Sequence, residues 1–111
     1  MRIPETALVS VHITAPSREL AERLARRLVE GGHVACVNLL PGARSIYKWK
    51  GVVEETAECL LLAKTRASRL EDVERVVLEE HSDDVPCVLA LPITSGHGAY
   101  LDWLTEQVAP R

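Results

Sequence analysis

A chain of 111 residues, 47% hydrophobic and 26% charged, has the length of one domain (residues 1–111) and the composition of an ordinary globular fold, which argues against a disordered or low-complexity chain. Its formal net charge is −3, with basic residues spread among acids, so no stripe suits a phosphate backbone and nucleic acid is not an expected partner. No apolar run approaches a membrane span and "MRIPETALVSVHI" lacks the build of a signal peptide, so the expected setting is the cytoplasm, without a membrane partner.

In chain order, "TALVSVHIT" alternates, with Val9, Val11 and Ile13 on one side and Ser10, His12 and Thr14 on the other, which predicts a strand with one buried face. "APSRELAERLARRLVEGG" predicts an amphipathic helix, with Ser17 as N-cap, Leu20, Leu24 and Leu28 at helical spacing, and Gly31 or Gly32 as the stop. "HVACVNLL" is strand-like and meets Pro41-Gly42. Proline has no amide for a central strand, so this segment belongs on a sheet edge or bends there. "ARSIYKWK" resumes the extended pattern, Gly51 marks a turn, and "VVEETAECLLLAKT" returns as a long strand, together an extended hairpin. Ser68 and Glu71 carry a capping-box pattern before a second helix, with Leu70, Val73, Val76 and Val77 as its apolar stripe and its end near His81. "VPCVLALPI" is a fourth strand between Pro86 and Pro92, and "GAYLDWLTEQV" a short closing helix with Tyr100, Trp103 and Leu104 at i, i+3 and i+4. The order β-α-β-β-α-β plus a terminal helix predicts an α+β, ferredoxin-like fold: an antiparallel sheet with both main helices on one face.

Two strands disobey the polar alternation that an open sheet face requires. In "ECLLLAK", Leu60 and Leu62 point opposite to Cys59 and Leu61, yet all are apolar; "VLALP" is apolar on both parities. Self-association is the simplest cover for the second face. Cys36, Cys59 and Cys87 are odd in number and widely spaced, which fits reduced thiols rather than a disulfide framework. No nucleophile elbow, phosphate loop or HExxH occurs, and Glu54 and Glu55 are neighbours on a strand and face opposite ways, so no enzyme is predicted.

The runs "VACVNLLPGARSIYKWKG", "LLLAKT", "H..DVP", "LALPI" and "AYLDWL", in this order from Thr14 to Leu104, resemble the CutA family of divalent-cation tolerance proteins. The resemblance implies a homotrimer in which long hairpins wrap neighbouring subunits, a link to tolerance of copper and other divalent cations, and metal binding in some members; it implies no organic cofactor. The trimer architecture resembles the nitrogen-regulatory PII class, which leaves a second reading open: a small-ligand sensor or signalling scaffold that binds an anion in intersubunit clefts. Cys36 lies at the family cysteine position. A thiolate is a soft ligand suited to copper or zinc, whereas a buried thiol is only a small apolar filler. The family pattern His-Pro-Tyr-Glu is replaced here by His81-Ser82-Asp83-Asp84, which gathers metal-ligating side chains in one short loop. The candidate metal ligands are therefore Cys36, His81, Asp83 and Asp84. Lys64 is a candidate contact for an anionic ligand, or a side chain snorkelling at a sheet edge.

The chain has no Phe, and its four aromatic residues fall into two pairs: Tyr47 with Trp49 on the hairpin, and Tyr100 with Trp103 on the closing helix. Large side chains with a polar tip suit an interface. Together with Lys64 they are expected at a trimer interface or ligand cleft, with Lys48 and Lys50 guarding an edge strand. His33 reads as a solvated turn residue and His12 as a partly buried, hydrogen-bonded one.

Overall fold

The computed structural model describes residues 1–4 and 7–108; Thr6, the first residue of the first predicted strand, lies outside them. The elements are β1 (Leu8–Ala15), α1 (Arg18–Glu30), β2 (Cys36–Trp49), β3 (Val52–Arg66), α2 (Leu70–Glu80), β4 (Val88–Pro92) and α3 (Gly98–Gln107). One antiparallel sheet has the order β2-β3-β1-β4, which with the β-α-β-β-α-β sequence is the ferredoxin-like arrangement anticipated above.

Alternation decides the layers. Val9, Val11, Ile13 and Ala15 of β1 and Cys59, Leu61 and Ala63 of β3 form one buried face under Leu20, Leu24 and Leu28 of α1 and Val73, Val76 and Val77 of α2. Fully burying such an aliphatic side chain is worth about 1.5–3 kcal/mol, so this single cluster dominates the stability of the subunit. Ser17 caps α1, its hydroxyl accepting from the Leu20 amide at 3.2 Å. The predicted capping box at α2 does not form. Ser68 lies inside a 3-10 turn, Ala67–Arg69, and α2 starts directly after that turn with no side-chain cap.

The two-sided strands are borne out by the register. Leu60, Leu62 and Lys64 of β3 stand beside Thr14, His12 and Ser10 of β1, on the face away from the helices. Leu89 and Leu91 of β4 join them through His12 and Ser10, and Leu40 through Leu60. α3 covers only one end of this face, where Leu101, Leu104 and Val108 pack on Leu8 and Ala35. The residues that bury α3 are thus Leu101 and Leu104, whereas Tyr100 and Trp103 stay exposed, with ring centroids 5.5 Å apart.

β2 is an edge strand, which accommodates Pro41. Between Leu40 and Ala43 it carries one residue more than β3 does across the same span, and Gly42 takes φ 86°. A one-residue bulge exchanges the two faces of a strand. Cys36, Asn38 and Leu40 lie on the helix-free face before it; Ser45, Tyr47 and Trp49 lie on that face after it, Tyr47 directly opposite Glu54. The arm closes with a two-residue turn, Lys50 and Gly51, at φ 50° and 81°, the left-handed pair a type I′ hairpin requires.

His33 is not the solvated turn residue expected. Its Nδ1 accepts from the Arg69 guanidinium at 2.6 Å, and its carbonyl accepts from Thr65, a buried hydroxyl, at 2.6 Å. Burial, and next the Arg69 charge, hold its imidazole below the ordinary value of 6.5. The unfolded chain therefore binds a proton at His33 more readily than the folded one. The contribution of this network is complete above 6.5 and is lost as pH falls through the lowered folded-state value. Urea unfolding between about pH 7.5 and about pH 5 should show a larger acid-side loss for wild type than for His33→Asn, whose amide oxygen stands near the Nδ1 position and accepts from Arg69 without titrating. Equal losses would refute the assignment.

Candidate functional site

The loop after α2 is held by its first residue. The His81 side chain is fully buried. The Asp83 amide donates to His81 Nδ1 at 3.0 Å, so that nitrogen is an acceptor. The ring proton therefore sits on Nε2, which donates to the Thr14 carbonyl at 2.8 Å. Both nitrogens are committed, one to the loop and one to the end of β1. His81 is thus a peg that fixes where Ser82 to Cys87 stand, rather than a side chain presented to solvent.

That loop and the hairpin arm enclose a groove of about 490 Å³. Tyr47, Trp49, Glu54 and Glu58 of the arm and Asp83, Asp84 and Cys87 of the loop are among its lining residues. Tyr47 is 40% and Trp49 44% exposed. Among the described residues, Glu54, Glu58 and Asp84 form no ion pair. The Asp83 carboxylate lies 3.9 Å from His81 Nδ1, the ring nitrogen that carries no proton. The groove walls thus hold four carboxylates and neither Lys nor Arg. Sequence reasoning missed Glu54 and Glu58. Their signal was the even spacing that puts both on one face of β3, the face that the two-residue turn at Lys50 and Gly51 shares with Tyr47.

Cys36 sits elsewhere. It is paired across the sheet with Lys64, half-buried, its Sγ 3.6 Å from the Tyr100 hydroxyl. That contact, and next burial, push the Tyr100 hydroxyl above its usual range. Lys64 donates to the Asn38 side-chain oxygen. The row Cys36–Lys64–Ser10 lies four residues of β1 away from Thr14, where His81 attaches, roughly 13 Å along the strand. The expected quartet of Cys36, His81, Asp83 and Asp84 is therefore not brought together in one subunit. Among the described residues, no three His, Cys, Asp or Glu side chains converge on a point that could hold a metal ion. Cys59 is core, and burial pushes its thiol up.

The anion-cleft residues are likewise split. Tyr47 and Trp49 line the groove, whereas Lys64 does not. An anion there would face four carboxylates, with no Lys or Arg among the lining residues, which disfavours it electrostatically. Among the described residues no helix is long and apolar enough to cross a membrane.

Residues 9–107 match the family model described as CutA1 divalent ion tolerance protein. The chain is 47% identical over 96 residues to the divalent-cation tolerance protein CutA of Thermus thermophilus, covering 86% of this chain and 93% of that one. It is 46% identical over 96 residues to the chloroplastic protein CutA of Arabidopsis thaliana, covering 86% of this chain but 53% of that one, so it spans about half the length of this plant relative. The solved structure of the divalent cation tolerance protein from Thermus thermophilus superposes with a TM-score of 0.90 at 44% identity, over 92% of this chain and 99% of that one.

Proposed function

The chain belongs to the CutA1 divalent ion tolerance family, and from that premise we propose that it contributes to divalent-cation tolerance by binding the metal itself, copper foremost, as a homotrimer in the cytoplasm. The observation that carries the metal reading is the environment of Cys36. It is a free, half-buried thiol on the helix-free face, in contact with the Tyr100 hydroxyl and paired across the sheet with Lys64. A soft thiolate is the ligand type copper prefers. One subunit offers no further ligand next to Cys36 among the described residues, so the rest of the shell comes from a second copy packed on the same face. Asp83 and Asp84 offer separate, harder oxygen ligands. The reading assigns no catalysis.

Calorimetric titration with Cu(II), Cu(I) and Zn(II) tests it. Wild type should bind copper at a fixed ratio to trimer, and Cys36→Ala should weaken that binding by at least about a hundredfold, because a thiolate ligand has no substitute nearby. Unchanged copper affinity in Cys36→Ala would remove the thiol from the site, and no binding in wild type would remove the metal reading altogether.

A further inference from the structure

His12 stands in the middle of the helix-free face. It lies on β1, an inner strand, with Leu62 of β3 opposite it on one side and Leu89 of β4 on the other. Along the strand on the same face, Thr14 lies opposite Leu60 and Ser10 opposite Leu91. The ring is half-buried. Among the described residues it makes no hydrogen bond or ion pair within the subunit, so in a lone subunit its nitrogens are served by water and not by the bonded partner expected from sequence. Leu89 and Leu91 remain 59% and 50% exposed. A second copy that covers these leucines also covers the imidazole that shares their part of the sheet.

A neutral imidazole tolerates such cover, being a flat ring with one donor and one acceptor. An imidazolium does not, because a charge taken out of water needs a partner of opposite sign. The elements around His12 hold none in contact with it. On this face β1 offers Ser10 and Thr14, and β4 offers Leu89 and Leu91, all uncharged. β2 brings Cys36 and Asn38, and α3 brings the Tyr100 hydroxyl beside Cys36. β3 brings Lys64 and Arg66, which are cations. The Lys64 ammonium is held at Asn38, in the same row of the sheet as His12 and two strands away, about 10 Å. It repels a second positive charge. Glu58 is four residues of β3 from Leu62, roughly 13 Å along the strand. With Glu54, Asp83 and Asp84 it lines a groove that Thr14 borders and His12 does not. His81, at the Thr14 carbonyl, has both ring nitrogens engaged.

We infer that His12 makes assembly sensitive to pH: the homotrimer proposed above forms with this imidazole neutral, and proton uptake at its three copies drives the subunits apart. The inference rests on that trimer and not on metal binding at Cys36. A separated subunit leaves His12 in water, where it takes up a proton; the covered face resists the same proton. Assembly is therefore strongest above the ordinary imidazole value of about 6.5 and weakens as pH falls through that range.

The test titrates the whole chain with urea at about pH 7.5 and about pH 5.5, in the presence of a chelator. Light scattering reads the mass and far-ultraviolet circular dichroism reads the fold. Wild type should have three subunit masses at the higher pH. On acidification its dissociation constant should rise at least about tenfold more than that of His12→Gln, which keeps a polar tip and does not titrate. His12→Leu is the second control, since it adds apolar surface and leaves no polar group dry; it should stay assembled at both pH values. The His33 network also responds to acid, but all three proteins carry it, so it cancels from the comparison. The inference is overturned if acid weakens wild type no more than it weakens the two variants. A single subunit mass for wild type at both pH values would instead overturn the trimer on which the inference rests.

Discussion

Replacing His81 with Ala should destabilise the chain by about 2–4 kcal/mol, and should do so in the presence of a chelator. The imidazole side chain is fully buried and makes two hydrogen bonds to backbone groups 67 and 2 residues away. Its removal strips the Thr14 carbonyl and the Asp83 amide of their partners and leaves a ring-sized hole between β1 and the loop. Two conservative variants separate these effects. His81→Asn places an oxygen near the Nδ1 position and should keep the Asp83 bond alone. His81→Gln places an amide nitrogen near the Nε2 position and should keep the Thr14 bond alone. Each should recover part of the loss in a urea titration. If His81→Ala unfolds at the wild-type midpoint in chelator but lowers metal affinity, the peg is wrong and His81 is a ligand. The same variant should also loosen the groove, because Asp83 and Asp84 depend on this ring for their position.

The sheet and the helices were legible because burial writes a period into the sequence. Val9, Val11 and Ile13 could be assigned to the core by alternation alone, and Leu20, Leu24 and Leu28 by helical spacing. The doubly apolar run around Leu60 to Leu62 was equally readable, because a strand with no polar face has no other simple account. Local rules failed where tertiary contacts set the outcome. The Ser68–Glu71 pattern is right for a capping box, yet a 3-10 turn occupies the place, and Arg69 at its end is drawn to His33 and Asp72 instead. His33 looked solvated because nothing local shows that Arg69 will reach it from another element.

The candidate site was less legible, for a geometric reason. Cys36 and His81 are both metal-ligating residue types, but sequence does not say how far apart two strand ends lie, and here the sheet separates them. Tyr47 and Trp49 were rightly expected to share a face. The turn at Lys50–Gly51 sets Tyr47 opposite Glu54, and the extra residue at Pro41–Gly42 puts that pair on the same sheet face as Cys36 and Lys64, but farther out along the arm. The acidic character of the groove follows from Glu54 and Glu58 on the arm and from the carboxylates at 83 and 84.

Leu91→Asp should convert the assembled protein into monomers at micromolar concentration. Leu40, Leu89 and Leu91 are 44%, 59% and 50% exposed on the helix-free face of the subunit, beside the half-buried Leu60 and Leu62. α3 reaches only the end of that face near Leu8. Five leucines on one side of an antiparallel sheet are what another copy covers, and they are not what water tolerates cheaply. In an isolated subunit the introduced carboxylate would be solvated, so folding of the monomer should change little. Within a covered interface the same carboxylate would be desolvated without a partner, at a cost of about 3 kcal/mol or more. That raises the dissociation constant by at least about a hundredfold for each such contact, and the symmetry of a trimer repeats it in every copy. Light scattering should therefore read three subunit masses for wild type and one for Leu91→Asp, with circular dichroism unchanged. Leu91→Ala, which removes area without adding charge, should fall between them. Wild type scattering as a monomer would sink the assembly outright, and a trimer undisturbed by Leu91→Asp would move the interface to another face. The outcome also bears on the metal. The shell around Cys36 is completed only if a second copy packs on this face, so a monomeric Leu91→Asp should lose copper affinity with its thiol intact.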